Sequence, residues 1–195
     1  MQHRRFSWSG LALAAIMAVS PLVTVAQEAT PARNAGEIGG ARVIGMQIVP
    51  NDLVVDDTLV GGLSSIDYNP ETDQWIAISD DRSWKAPSRF YTLNVDYSST
   101  ALNGVEIEKQ VTLKQANGDV YASDEQGGNV ADIESVRFDP LTGLIWYGTE
   151  AIDSLNLPPW LAVSTLDGQF VSQPSLPSMF DHDPEGIIGP RNNQG

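Results

Sequence analysis

The chain has 195 residues, 42% of them apolar, enough for one ordinary domain or most of a larger one. A formal net charge of −14 argues against nucleic acid or an anionic membrane surface as a partner, and suits cations or simple solubility. The sequence has no cysteine, which excludes disulfides, cysteine catalysis and cysteine-ligated zinc.

The first 26 residues read as a secretory signal. His3, Arg4 and Arg5 form a positive start, Leu11 to Val19 an apolar run, and Thr24 and Ala26 the small residues that favour cleavage after Ala26. The other reading of this stretch is a membrane anchor. The apolar run falls short of the roughly 20 residues that a spanning helix needs, so the signal is preferred. Loss of Arg4 and Arg5 makes the mature chain more acidic still, and no later stretch is apolar enough to span a membrane. The lack of cysteine and of any Asn-x-Ser/Thr site fits a bacterial periplasmic or extracellular protein.

Residues 27–40 (QEATPARNAGEIGG) read as a flexible linker, and Ala41 to Val49 (ARVIGMQIV) as a strand. From there to the end, short β-rich runs alternate with Gly, Pro, Asn and Asp, and helical periodicity is nearly absent, an all-β pattern.

One phrase is written twice. IDYNPETDQWIAISDD (66–81) and VRFDPLTGLIWYGTEA (136–151) align at a constant offset of 70 residues, bringing Tyr68 to Phe138, Pro70 to Pro140, Thr72 to Thr142 and Asp80 to Glu150. Each copy reads as a hairpin. Asn69 or Asp139 caps the turn, the next Pro fixes φ, and Asp73 or Gly143 takes the left-handed position at its end. A third strand follows in each copy, Arg89 to Asp96 and Trp160 to Asp167, then a fourth near Val105–Leu113 and Gln169–Gln173. Four antiparallel strands in tandem point to propeller blades; the alternative is one β-sandwich with a chance echo. The expected architecture is a partial β-propeller, about two four-stranded blades plus an N-terminal strand that completes a missing blade. A propeller closes with 4 to 8 blades, so the chain is expected to be a fragment, truncated at its C-terminus, of a longer protein.

GGLSSIDYNPETDQWIAISDDRS, RFYTLNVD, VTLKQANG, the D-x-E-S-V-R-F-D-P-x-T-G segment (132–143) and RNNQG (191–195) together resemble the phytase-like domain family, also described as esterase-like activity of phytase. The resemblance runs from about Gly61 to Gly195, so the domain is drawn over 41–195. In that family the R-x-N-x-G segment is followed by Phe-Glu-Gly, which supports truncation here. The resemblance implies an exported, propeller-like protein that hydrolyses phosphate or carboxylate esters. It leaves the substrate open.

Candidate site residues follow from the repeat. Asp80 and Glu150 close equivalent strands, Asp81 follows the first, and Glu134 opens the inner strand of the second copy next to Asp132. Carboxylates gathered near a central channel suit Ca²⁺, a hard cation that takes 6–8 oxygens, and Asp80, Asp81, Glu134 and Glu150 are the candidate ligands. The bland reading is that they cap strands and face water. Arg82 and Arg191 are the candidates for holding a phosphate or other anionic group, since a fork-shaped guanidinium matches it. Arg89 and Arg137 suit internal ion pairs instead. No Gly-x-Ser-x-Gly elbow is present, and His182, the one histidine left after signal cleavage, lies in a polar loop among Asp181, Asp183 and Glu185. Trp75, Trp146 and Trp160 fall in strands and read as blade core, while Trp84 is the candidate for an exposed contact. Calcium-assisted ester hydrolysis is the leading expectation. A non-catalytic ligand- or protein-binding propeller is the alternative.

Overall fold

The computed structural model describes residues 42–180, all in one unit that begins at Arg42. The signal-like segment, the linker at 27–40, His182 and Arg191 lie outside the described residues.

The fold is all-β, with two 3₁₀ turns at Asp153–Leu155 and Ser178–Phe180 and no α-helix among the described residues. No helix there is long and apolar enough to cross a membrane. A small pair, β1 (Val54–Val55) and β2 (Thr58–Leu59), opens the chain; its turn places Asp56 and Asp57 at φ 47° and 60°, the left-handed pair a two-residue hairpin requires. The first large sheet holds β3 (Leu63–Asn69), β4 (Gln74–Ser79), β5 (Arg89–Tyr97) and β6 (Leu102–Thr112) in chain order. The second holds β7 (Ile133–Asp139), β8 (Leu144–Thr149), β9 (Leu161–Ser164) and β10 (Phe170–Ser172), again in chain order and antiparallel.

The written repeat is a structural repeat. Leu63 pairs with Ser79 and Asn69 with Gln74; at the same offset Ile133 pairs with Thr149 and Asp139 with Leu144. Even the register irregularity recurs, between Leu63 and Ser65 and between Ile133 and Ser135. The turns follow their chemistry. Asn69 Oδ1 accepts the Glu71 N–H and Asp139 Oδ1 the Leu141 N–H, both at 2.9 Å. Asp73 and Gly143 take φ 57° and 69°.

The strand expected at 41–49 does not form. Residues 42–49 lie outside every strand, and among the described residues their backbone shares one bond with the sheets, from the Leu102 N–H to the Ile44 carbonyl (3.1 Å). A strand needs a ladder along its length, so a β-rich sequence without a partner stays irregular and leaves Val43, Met46 and Ile48 exposed.

Alternation divides the core in two. Ile76, Ile78, Phe90 and Val111 from one face of the first sheet pack against Ile133, Val136, Phe138, Ile145 and Tyr147 of the second. Burial of each large apolar side chain contributes roughly 1.5–3 kcal/mol, so this face holds the sheets together. The opposite face, with Ala77, Tyr91, Leu93 and Ile107, is covered by Val60 and the half-buried Val49, Leu53 and Val55.

At the junction, β3 side chains complete the open edge of β7. Ser64 donates its hydroxyl to the Ile133 carbonyl (3.0 Å). Ser65 Oγ accepts the Val136 N–H (3.2 Å), and Asp67 Oδ2 accepts the Phe138 N–H (2.8 Å). An unpaired strand edge next to a core is costly, and these bonds satisfy it without a ladder. Replacing Asp67 with Ala should cost about 1–3 kcal/mol in urea denaturation and accelerate amide exchange at Phe138. Unchanged exchange at that amide would show that the seam is held by packing alone.

Candidate functional site

The repeat places its two second strands so that they end side by side. Asp80 leaves β4 with its N–H on the Gly62 carbonyl (2.8 Å), and Glu150 leaves β8 with its N–H on the Asp132 carbonyl (3.0 Å). Gly62, at φ 61°, takes a left-handed conformation that favours glycine, and a Cβ there would require the Asp80 carboxylate to shift. At the same place in the second copy stands Asp132, so the second unit carries an additional carboxylate. Asp132, Glu134 and Glu150 each bring a carboxylate oxygen within 4.8 Å of the others.

These three acids form one wall of a cleft of about 530 Å³, and Asp80 lines it beside them. The loop that joins β4 to β5 lines it as well, with Asp81, Arg82, Trp84 and Lys85. The seam between β3 and β7 is what brings the acids of one unit against the loop of the other.

The electrostatics are strained. Asp132 is 7% exposed, and its pKa is pushed up to about 7 by burial, with Glu150 and Glu134 adding repulsion and Arg82 opposing. The Glu134 carboxyl is also raised, by burial first and then by the charges of Asp80 and Glu150. Arg82 answers part of this charge: its guanidinium lies 3.3 Å from Asp124 Oδ2 and 3.7 Å from Asp132 Oδ2. The Asp124 Oδ1 atom is buried without a hydrogen-bond partner.

Asp81 lines the same cleft but is paired with Arg89. Its Oδ2 lies 2.6 Å from the fully buried Arg89 guanidinium, a close ion pair without hydrogen-bond alignment. Arg89 also donates to the Tyr91 hydroxyl (2.6 Å) and to the carbonyls of Ala86 and Pro87 (3.1 and 3.4 Å). Burial opposes the guanidinium charge, but Asp81 and Tyr91 outweigh it, and the pKa of Arg89 lies above its ordinary value. Arg89 thus fastens the loop from beneath, the internal role expected of it. Arg137 instead donates to the Val136 carbonyl (2.6 Å).

The structure therefore gathers Glu134 and Glu150 with Asp132, sets Asp80 beside them and Arg82 across from them, and turns Asp81 to Arg89. Sequence reasoning put Asp132 next to Glu134 without including it among the ligands. Asp124 carried no signal, since it lies in the loop before β7, outside the repeat. Trp84 is 67% exposed, Trp75 is half-buried against the second core, and Trp160 packs on the first.

The raised Asp132 pKa fixes a pH dependence. The folded state holds this proton above the ordinary value of 3.8, where the unfolded chain has released it. The group's favourable contribution is complete below that value and is lost as pH rises toward about 7. In metal-free buffer, melting curves from pH 4 to 7 should show wild type losing stability relative to Asp132→Asn. Parallel curves would contradict the burial and repulsion assigned to Asp132.

Comparison with known proteins adds one finding. No curated protein and no solved structure matches the chain. A family model, phytase-like, described as esterase-like activity of phytase, matches residues 58–195, which span both four-stranded units and the whole cleft. The chain belongs to the phytase-like family.

Proposed function

We propose that this chain is the site-bearing part of an exported ester hydrolase, with a divalent cation, calcium by its chemistry, held by Asp132, Glu134 and Glu150 and with Asp80 in reach. The observation that carries the reading is the set of three carboxylate oxygens within 4.8 Å of one another, in a cleft that also presents Arg82 and Lys85. The donors fit. Oxygens bound to one calcium at about 2.3–2.6 Å lie at most about 5 Å apart, and all are hard carboxylates. Buried acids with raised pKa values are short of positive charge, and a cation would supply it. Bound calcium would polarise a phosphoryl or acyl oxygen.

The chain's own residues do the rest. Arg82, half-exposed at the cleft, offers a guanidinium to the anionic part of the ester, and Lys85 adds a second charge from the same loop. Arg191 is a further anion-holding residue on the strength of the family resemblance alone. Among the described residues the cleft lining has no serine, threonine, histidine or cysteine, so the candidate nucleophiles there are water and the lining's own carboxylates and lysine. The same lining supports the second reading, a propeller that binds an anionic or cationic ligand without turning it over.

The proposal extends to the whole protein. Further four-stranded units continue the ring begun by the first two, since Ser135 of β7 repeats the position of Ser65, which caps its neighbour's backbone. The positive start, apolar run and small residues of 1–26 direct export to the periplasm or the extracellular space.

The test is a melting curve with millimolar calcium and with chelator, beside turnover of phenyl phosphate and phenyl acetate. Wild type should gain several degrees with calcium, as expected for a ligand that binds the folded state. Glu134→Gln/Glu150→Gln should lose both the gain and the turnover. An equal gain in both proteins would remove the metal, and a calcium response without turnover of either ester would leave the binding reading.

A further inference from the structure

We infer that Trp84 selects the ester by its carrier: the cleft accepts an anionic ester borne on a flat aromatic ring, with the ring stacked on the indole. The inference rests on the ester-binding reading above and names the class of molecule that the site takes.

Three observations carry it. The first is exposure without a packing role. Trp84 lines the cleft at 67% exposure, belongs to neither core and has no ring contact with another aromatic among the described residues. An exposed indole is free to offer its face to a ligand.

The second is rigidity. The Trp84 N–H donates to the Asp81 carbonyl (2.9 Å), and the Ser88 N–H donates to Ser83 Oγ (3.0 Å), closing the loop on itself. The buried Arg89 guanidinium holds the Ala86 and Pro87 carbonyls from below. Arg82 and Ser83 sit at φ 51° and 59°, a left-handed conformation uncommon for side-chain-bearing residues and kept here by these bonds. A platform set in advance loses little freedom on binding.

The third is the internal control. The matching loop of the second unit, residues 150–160 (EAIDSLNLPPW), joins equivalent strands with no basic residue, and its one aromatic, Trp160, packs on the first core instead of lining the cleft. The connection itself does not call for Trp84 or its cationic neighbours. The first unit alone interleaves a flat apolar surface with positive charge, Arg82-Ser83-Trp84-Lys85, and turns it toward the cleft. An anion alone would be served by Arg82 and Lys85; the indole adds a surface for an attached ring.

The test uses two inert probes that differ in the ring, phenylphosphonate and methylphosphonate, titrated by calorimetry in calcium buffer. Wild type should bind the phenyl compound about tenfold more tightly, the scale of one ring stacked on one aromatic side chain. Trp84→Ala should bind both probes alike, with melting unchanged because the side chain is exposed, and Trp84→Phe should recover part of the preference. Equal binding by wild type, a preference that survives in Trp84→Ala, or binding of neither probe would overturn the inference. So would tighter binding of phenyltrimethylammonium than of phenylphosphonate, which would make the cleft a cation site. The two claims fail separately. A ring preference without turnover of phenyl phosphate removes hydrolysis and leaves Trp84 its role. Turnover of phenyl and methyl phosphate with equal KM does the reverse.

Discussion

Everything at the cleft depends on an unladdered seam. Strands β3 and β7 each form the edge of their own sheet, yet β7 is not left with open backbone groups, because Ser64, Ser65 and Asp67 reach across and take its donors and an acceptor. Side-chain caps fix the register of one sheet against the next as a ladder would, while the sheets remain separate. The apolar contact behind them, Ile76 and Phe90 against Val136 and Tyr147, supplies the free energy; the caps decide which residues meet. With that register fixed, Asp132, Glu134 and Glu150 of one unit face Arg82 of the other.

The two units then diverge where the chemistry lies. Their hairpins, bulges and turns coincide, but the first unit has Gly62 and a loop with Arg82, Trp84 and Lys85 at the cleft, where the second has Asp132 and a loop with no basic residue, whose Trp160 packs on the core. Duplicated scaffolding thus carries an acidic wall on one copy and a cationic wall on the other. Burial raises the pKa of Asp132 and Glu134, repulsion among the acids adds to the rise, and Arg82 opposes it. In the same loop, Arg89 pairs with Asp81 and holds the Ala86 and Pro87 carbonyls.

The sequence made legible what is local or repeated. Both hairpin turns could be read from Asn69 with Asp73 and Asp139 with Gly143, because turn chemistry is decided within a few residues. The four-stranded order followed from the offset. Pairings between distant residues were not legible. The segment at 42–49 has strand composition but no partner, and composition does not create one. Asp81 looked equivalent to the cluster acids until Arg89, eight positions along the chain, proved to hold it. Asp132 was not among the candidate ligands, because what brings it to Glu134 and Glu150 is burial and packing that its place in the sequence does not show.

The central claim is that the site is assembled across the seam, with the first unit's guanidinium compensating the second unit's buried acid. A double-mutant cycle of Arg82→Gln and Asp132→Asn, read as unfolding free energy at pH 7 in metal-free buffer, measures that contact directly. The account predicts non-additive effects: Arg82→Gln destabilises wild type more than it destabilises Asp132→Asn, where only the pair with Asp124 is lost, a coupling of about 0.5–1 kcal/mol for a half-exposed guanidinium. Strictly additive effects would mean that the two walls do not meet and that the cleft is not a single site.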